Sequence, residues 1–182
     1  MLFRSGLAAG KGVLICASKE EARAALHIIF RERRFGEAGN RAILEEFLRG
    51  RETSYMVFTD GRVVIPIAPS QDYKRALDGD RGPNTGGMGA VSVPTLIRPE
   101  LEERILADVI HPTLRAMERE GHPFQGVLYA GLMIGDDGPR VLEFNVRLGD
   151  PETEVVLLRL ESDLAELLSQ LAAGSLQGAA AR

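Results

Sequence analysis

Glu143, Asn145 and Arg147 fall at alternate positions in the run Val-Leu-Glu-Phe-Asn-Val-Arg-Leu-Gly-Asp-Pro-Glu that spans 141 to 152. In an extended strand alternate side chains share a face. These three therefore project to one side, while Leu142, Phe144, Val146 and Leu148 form an apolar, anchored face on the other. A carboxylate and an amide oxygen followed by a guanidinium make a place where a hard cation and an anionic ligand such as a phosphate can be held together. Alternation is equally the ordinary pattern of an edge strand with a solvated polar face, and these residues alone leave both readings open. Two oxygen donors are too few for the six-fold coordination magnesium prefers, and the adjoining run from Leu128 to Ile134 contains no acid. Water or substrate phosphate would have to complete such a site. The oxygen-only donor set is unlike a zinc or copper site.

A second candidate is the glycine-rich stretch Gly6, Leu7, Ala8, Ala9, Gly10, Lys11, Gly12. It fails as a P-loop on two counts, because Ser5 stands where the first glycine is required and Gly12 where the hydroxyl is required. What remains is a loop whose backbone N–H groups can wrap an anion and whose lysine can neutralise it. The alternative is a surface loop with a solvated lysine. His27, His111 and His122 have no serine or cysteine beside them in a nucleophile–base arrangement, so no triad chemistry is expected.

Around these residues the periodicity predicts a strand at Val13–Ala17 and a helix from an N-cap at Ser18 to about Arg33, with Glu20 and Glu21 in its first turn. A strand over Arg41–Leu48 follows. One hairpin joins Glu52–Phe58 to Arg62–Ala68 through Asp60-Gly61, and another joins Val127–Ile134 to Arg140–Val146 through Asp136-Asp137-Gly138. Between the hairpins, Pro69 to Pro94 reads as a long shaped binding loop without periodicity. A helix over 99 to 119 should kink or split at Pro112. A last helix is expected from Glu152 to Leu171, ahead of a frayed tail.

At 182 residues, 45% hydrophobic, the chain is long enough to bury a core without covalent staples. A net charge of -4 gives no support for nucleic acid as a partner. No apolar stretch is long enough to span a bilayer, and no signal-peptide pattern opens the chain, so no membrane partner and a cytoplasmic location are expected. The single cysteine, Cys16, excludes an internal disulfide and lies in an apolar run that suggests a buried, inert thiol.

Taken in order, Gly6 to Val13, Glu45-Glu-Phe-Leu48, Ser70 to Arg75, Gly82-Pro-Asn-Thr-Gly-Gly-Met-Gly89 and Glu143 to Glu152 resemble the phosphoribosylamine–glycine ligases. The resemblance extends from Gly6 to about Asp163. The runs 82–89 and 143–152 carry its specificity, whereas the glycine-rich loop alone would suggest only the ATP-grasp superfamily. It implies an α+β ATP-grasp fold: a partial small lobe at 1–50, a large lobe with the metal and substrate site at 51–172, and a frayed tail at 173–182. It implies ATP, with Mg2+ or Mn2+, as cofactors. Gly6 to Gly12 would form a lid over the phosphates, Glu45, Glu46, Phe47 and Leu48 would meet adenine, and Glu52 the ribose. Glu143 and Asn145 would hold the metal. Asp72, Lys74, Asn84, Thr85, Gly86, Gly87, Met88 and Arg147 would surround glycine and 5-phosphoribosylamine. Lys11, Arg147 and Asp150 would serve the chemistry.

By the same resemblance, glycine's carboxylate attacks the γ-phosphate to give an acyl phosphate, and the amine then displaces phosphate to form glycinamide ribonucleotide. Such chemistry needs positioning and charge neutralisation more than a protein base. Family members read Lys-Ala-Asp-Gly before the loop, where this chain has Phe3-Arg4-Ser5-Gly6, so Phe3 stands in place of a phosphate-binding lysine. The family's chains are also longer at both ends, which makes the missing domains of the full-length ligase expected partners. This chain alone is therefore expected to be weakly active or inactive. Two alternatives are a non-catalytic nucleotide-binding module and another ATP-grasp carboxylate–amine ligase; the loop at 82–89 argues against the latter.

Overall fold

The computed structural model describes residues 2–4, 13–79 and 81–179. The predicted anion loop, Gly6 to Gly12 with Lys11, lies outside them. The chain divides into two compact units, Met1–Leu48 and Arg49–Arg182.

In the first unit β1 (Leu2–Arg4) is the centre of a three-stranded antiparallel sheet, flanked by β2 (Val13–Leu14) and β3 (Ala42–Leu44). Helix α1 (Lys19–Phe30) starts where the sequence predicts. The Ser18 side chain accepts from the Glu21 N–H at 3.1 Å, and the Glu21 carboxylate reaches back to the Ala17 N–H at 2.8 Å. The first bond satisfies an N–H that the helix start leaves without a backbone partner, and the second ties the residue before the cap to the first turn. The helix stops three residues before Arg33, which adopts a left-handed φ of 50° that no helix can continue through. The predicted strand over Arg41–Leu48 is shorter than expected, because its described pairing with β1 ends at Leu44. Cys16 is half-buried and its thiol faces the Leu14 carbonyl at 3.7 Å, so the expected full burial is not found.

The second unit is built on a four-stranded antiparallel sheet. Chain order gives β4 (Arg51–Thr59), β5 (Val64–Pro66), four short strands β6 (Gln71–Asp72), β7 (Arg75–Leu77), β8 (Arg81–Asn84) and β9 (Ala90–Val91), then β10 (Gly126–Gly135) and β11 (Gly138–Asn145). The sheet order is β11-β10-β4-β5. Both predicted hairpins are present. The segment expected to be an aperiodic loop is instead two small ladders, β6 with β9 and β7 with β8. Its strands are two to four residues long, too short to show a period of two.

Strand alternation sends side chains into two cores. On one face Tyr55, Val57, Leu128, Ala130 and Leu132 pack against Ile105, Val109, Ile110 and Leu114. These last residues come from α2 (Pro99–Ile105), a π-helical stretch Leu106–Ile110 and α3 (His111–Arg119). Pro112 does not split this helix: the His111 N–H bonds to the Leu106 carbonyl five residues back, and that π-bulge absorbs the proline. On the other face Met56, Phe58 and Tyr129 pack against Val156, Leu167, Leu171 and Leu176. Each large side chain fully buried in this way stabilises the fold by about 1.5–3 kcal/mol.

The predicted helix from Glu152 to Leu171 is two helices, α4 (Glu152–Leu157) and α5 (Leu164–Ala173). Asp163 caps the second by accepting from the Glu166 N–H at 3.0 Å, and an aspartate that bonds local backbone in this way starts helices more readily than it continues them. Residues 174–179 are packed rather than frayed as expected. Gly174 takes the left-handed conformation that closes the helix, and Leu176 is completely buried. The Asp60 carboxylate holds that tail: it accepts N–H bonds from Arg62 at 3.0 Å, Val63 at 2.8 Å and Leu176 at 3.2 Å.

Partial burial alone would raise the Asp60 pKa, but the N–H bonds from Val63, Arg62 and Leu176 outweigh it and hold the carboxyl below its usual range. A depressed carboxyl contributes stability above its unfolded pKa of about 3.9, and loses it as pH falls through the lower folded value. Asp60→Ala should therefore cost about 1–2 kcal/mol at pH 7, with the difference from the parent shrinking below about pH 4. Urea unfolding at several pH values checks this; a difference that stays constant down to acid pH would refute it.

Candidate functional site

Register puts Glu52 opposite Met133, Ser54 opposite Gly131 and Met56 opposite Tyr129 across β4 and β10. Across β10 and β11, Tyr129 lies opposite Asn145 and Gly131 opposite Glu143. Glu52, Ser54, Tyr129, Glu143 and Asn145 therefore share one face of the sheet. Further along that face Met56 and Phe58 are covered by α4 and α5. The other end carries the polar residues.

The pairing of Glu143 with Asn145 on one face is as predicted, and their side chains meet, the Asn145 amide donating to Glu143 Oε1 at 3.4 Å. The opposite face differs from expectation. A bulge lets Gly131 pair with Glu143 and Leu132 with Val141, so Leu142 is an extra residue and the alternation changes phase there. β11 is also the sheet edge, and Phe144 and Val146 are 42% and 71% exposed rather than anchored. Arg147 lies beyond the last ladder pair, exposed, with its guanidinium donating to the Leu148 carbonyl at 2.8 Å.

From β6 and the residues after it come Asp72 and Lys74. Lys74 Nζ is 2.8 Å from Glu52 Oε1 and 3.9 Å from Asp72 Oδ2. Burial works against the Lys74 charge, but Glu52, Glu143 and Asp72 overcome it and raise its pKa. The Asp72 side chain is only 5% exposed, and its Oδ1 is buried with no hydrogen-bond partner. Burial foremost, with the negative charge of Glu152 next, pushes the Asp72 pKa up to about 6; Lys74 offsets part of this.

Glu152 has no counterpart among the predicted site residues. It begins α4 and is 3% exposed. Tyr129 donates to its Oε1 at 2.7 Å, and Ser54 Oγ lies 3.0 Å from the same oxygen and 2.7 Å from the Tyr129 hydroxyl. Burial, with Glu152 beside it, raises the Tyr129 phenol well above its ordinary pKa. The available signal was a tyrosine and a serine in otherwise apolar strands, whose hydroxyls need partners once buried. Which acid answers them is a tertiary fact.

The loop after β8 folds over Asp72 and Lys74. Thr85 donates both its N–H (2.7 Å) and its hydroxyl (2.9 Å) to the Lys74 carbonyl, Gly87 N–H donates to Thr85 Oγ1 at 3.2 Å, and Met88 N–H to the Tyr73 carbonyl at 2.7 Å. Gly87, with φ of 136°, has no room for a Cβ, which would lie 2.5 Å from Pro151 Cδ and 3.3 Å from Asp72 Oδ1. Gly86 and the Met88 side chain are exposed, and Asn84 ends β8. Asp150 is exposed and precedes Pro151 through a cis peptide bond. Glu45, Glu46, Phe47 and Leu48 belong to the first unit, in irregular chain after β3.

Among the described residues no group of three or more His, Cys, Asp or Glu is arranged to hold a metal ion. A cavity of about 330 Å³ lies elsewhere, lined by 66–69, Glu102, Val156, Arg159 and Leu160, and contains none of the charged cluster.

The family model described as phosphoribosylglycinamide synthetase, ATP-grasp (A) domain, matches residues 2–153. The chain belongs to this family. It is 51% identical over 174 residues to the phosphoribosylamine–glycine ligase of Ralstonia nicotianae, covering 95% of this chain and 41% of that one. Against the Allochromatium vinosum ligase it is 55% identical over 163 residues, covering 89% and 38%. The chain thus spans about two fifths of the length of the curated relatives it matches. The crystal structure of the Thermotoga maritima phosphoribosylamine–glycine ligase superposes with a TM-score of 0.77 at 38% identity, over 97% of this chain and 44% of that one. A biotin carboxylase domain from Hydrogenobacter thermophilus, solved with MgADP, shares the fold with a TM-score of 0.67 at 20% identity, over 95% and 36%. The α+β ATP-grasp class is thereby established, and the family is one of ATP-dependent ligases. No helix among the described residues is long and apolar enough to cross a membrane.

A carboxyl whose folded pKa is raised favours the fold when protonated. Between about pH 4 and pH 6 the unfolded chain has released the Asp72 proton and the folded chain has not, so stability falls as pH rises through that window. Asp72→Asn should remove this slope, on the order of 2–3 kcal/mol across the window. Parallel urea titrations of parent and variant at pH 4.5 and 7.5 test it; identical slopes would contradict the assignment.

Proposed function

We propose that this chain carries most of the ATP-grasp core of a ligase that joins glycine to 5-phosphoribosylamine, with release of ADP and phosphate, in purine biosynthesis in the cytoplasm. Family membership supports the reaction class, and the observation that carries the reading within this chain is the face holding Glu52, Lys74, Glu143 and Asn145 together. The excess of carboxylate over cation there, with a buried and unpartnered Asp72 oxygen, fits a site that receives positive charge from outside the protein. A hard divalent ion, magnesium or manganese, suits the oxygen donors of Glu143 and Asn145, with phosphate and water as the remaining ligands. When bound, it would neutralise phosphate charge.

The chain's own residues then position and shield. Gly6 to Gly12 with Lys11 would cover the phosphates, Glu45 to Leu48 would meet adenine, and Glu52 the ribose. Asp72, Lys74, Asp150, Arg147 and the loop Asn84, Thr85, Gly86, Gly87, Met88 would arrange the two substrates. A glycine carboxylate oxygen bonds to the γ-phosphorus as ADP leaves; the amine then bonds to the acyl carbon as phosphate leaves. Arg147, exposed and bonded to a carbonyl alone among its described partners, is suited to the transferring phosphate. The remaining length of the family's chains would enclose the substrates.

A second reading, nucleotide binding without turnover, draws on Phe3, which stands in β1 where the family carries a lysine. Calorimetric titration with MgADP should show binding that requires the metal and is weakened about tenfold or more by Glu143→Gln. Metal-independent binding unaffected by that substitution would count against the site. ADP release dependent on both glycine and 5-phosphoribosylamine separates the ligase from the non-catalytic module.

A further inference from the structure

The cavity of about 330 Å³ lies beside β5, the outer strand of the sheet, and the extended chain that follows it. That chain is held in line with the strand by an Ile67 N–H bond of 3.1 Å to the Met56 carbonyl and by two bonds between the Ser54 and Ser70 backbones, at 2.7 and 3.0 Å. Glu102 approaches from α2, which belongs to the core over Tyr55 and Val57. Val156, Arg159 and Leu160 approach from α4 and the turn after it, on the side of Met56 and Phe58. The cavity therefore reaches both layers past the edge of the sheet. Its wall does not suit a further strand, because Pro66 and Pro69 lack the N–H that strand pairing uses. A small molecule is the better match, since the volume falls at the lower end of the roughly 300–1,000 Å³ usual for ligand pockets.

Two charged residues line this space, and no described ion pair joins them. Arg159 is half-buried. Its Nη1 donates to Ser92 Oγ at 2.8 Å, and that hydroxyl donates to the Pro69 carbonyl at 2.7 Å, so the guanidinium is tethered to the wall. A guanidinium has five N–H donors in a planar fork, and the serine takes one of them. Burying the others without an acceptor is costly, and a carboxylate meets them two at a time. Glu102, also half-buried, accepts from the Tyr55 hydroxyl at 3.0 Å through Oε1. Burial foremost, with Glu102 next, raises the Tyr55 phenol well above its ordinary pKa, so it stays a donor. The rest of the lining is apolar: Pro66, Ile67, Ala68, Pro69, Val156 and Leu160.

We propose that this cavity binds a small monocarboxylate with an apolar body and a hydrogen-bond donor at its far end, the carboxylate on Arg159 and the donor on Glu102. The apolar lining takes the body out of water. The charge of Glu102 works against a second anionic group, so dicarboxylates and doubly charged phosphates are disfavoured. None of the lining residues is among those proposed to meet nucleotide, metal or the ligase substrates, and the site stands apart from that reading.

Amide NMR of the whole chain tests this, with para-hydroxyphenylacetate as the probe. Its addition should shift the amides of Ile67, Ala68, Arg159 and Leu160 and leave those of Tyr73 and Lys74 in place. Phenylacetate, which lacks the donor, should bind more weakly. The methyl ester of the probe and para-carboxyphenylacetate should each bind at least about tenfold less tightly, the first for want of a charge-assisted bond and the second through repulsion by Glu102. Arg159→Gln should weaken the probe by a similar factor, and Glu102→Gln should admit para-carboxyphenylacetate. No response to millimolar probe, equal binding of the ester or of phenylacetate, or shifts confined to Tyr73 and Lys74 would each overturn the site. If Arg159→Gln does not fold, the comparison of probe with ester on the parent chain still decides. Titration with MgADP tests the ligase reading separately, so either can fail while the other stands.

Discussion

Nine successive residue pairs join β4 to β10, from Arg51 with Ile134 to Thr59 with Gly126, and every other feature of the second unit hangs on that ladder. Because side chains alternate along both strands, one set of pairs fills the core under the long helix and the other fills the core under α4 and α5. The second set runs out of apolar residues at one end, where Glu52, Ser54, Glu143 and Asn145 take over. A shift of one residue in this register would exchange the two faces and turn the carboxylates toward the apolar core. The positions of the acids and the packing of the core are thus fixed by the same pairing.

The electrostatics of the site follow from its position on a partly covered face. Lys74 is held among Glu52, Asp72 and Glu143, and their combined attraction exceeds the desolvation that would otherwise lower its pKa. Asp72 has the opposite balance. Burial and the nearby Glu152 outweigh Lys74, so its carboxyl is raised while the lysine's charge is favoured. Two neighbouring groups of opposite sign are thus both shifted upward, one toward its charged form and one toward its neutral form. Both shifts follow from the excess of negative over positive charge around this end of the sheet.

Local signals made much of this architecture legible in the sequence. The acid-glycine turns at Asp60-Gly61 and Asp137-Gly138 marked the hairpins, Ser18 marked a helix start, and the alternation of Glu143 and Asn145 put both on one face. Most of the failures share a cause. The bulge at Leu142 and the pairing of β6 with β9 are each decided by a partner strand distant in sequence, while the π-bulge at Pro112 is a local rearrangement that the proline alone does not announce. Glu152 is the clearest case: its sequence position reads as an ordinary first-turn acid, and only the approach of Tyr129, 23 residues away, and Ser54, 98 residues away, shows that it is buried and anchored. Leu176 likewise looks like the start of a small-residue tail, yet its side chain is buried in the core under α4 and α5 and its N–H bonds to Asp60, 116 residues earlier.

The edge position of β11 bears on how this chain behaves in concentrated solution. One side of the strand is hydrogen-bonded to β10 and the other faces no strand among the described residues, while Phe144 and Val146 present apolar surface beside it. Such an edge is a template for strand addition between molecules, the route by which sheet proteins oligomerise or precipitate. The charges of Arg140 and Glu143 along the strand, and the bulge at Leu142 that twists it, oppose that association. Glu143, proposed to hold a metal, thus also acts as a gatekeeper against self-assembly, and neutralising it leaves Arg140 as the other charge on the strand.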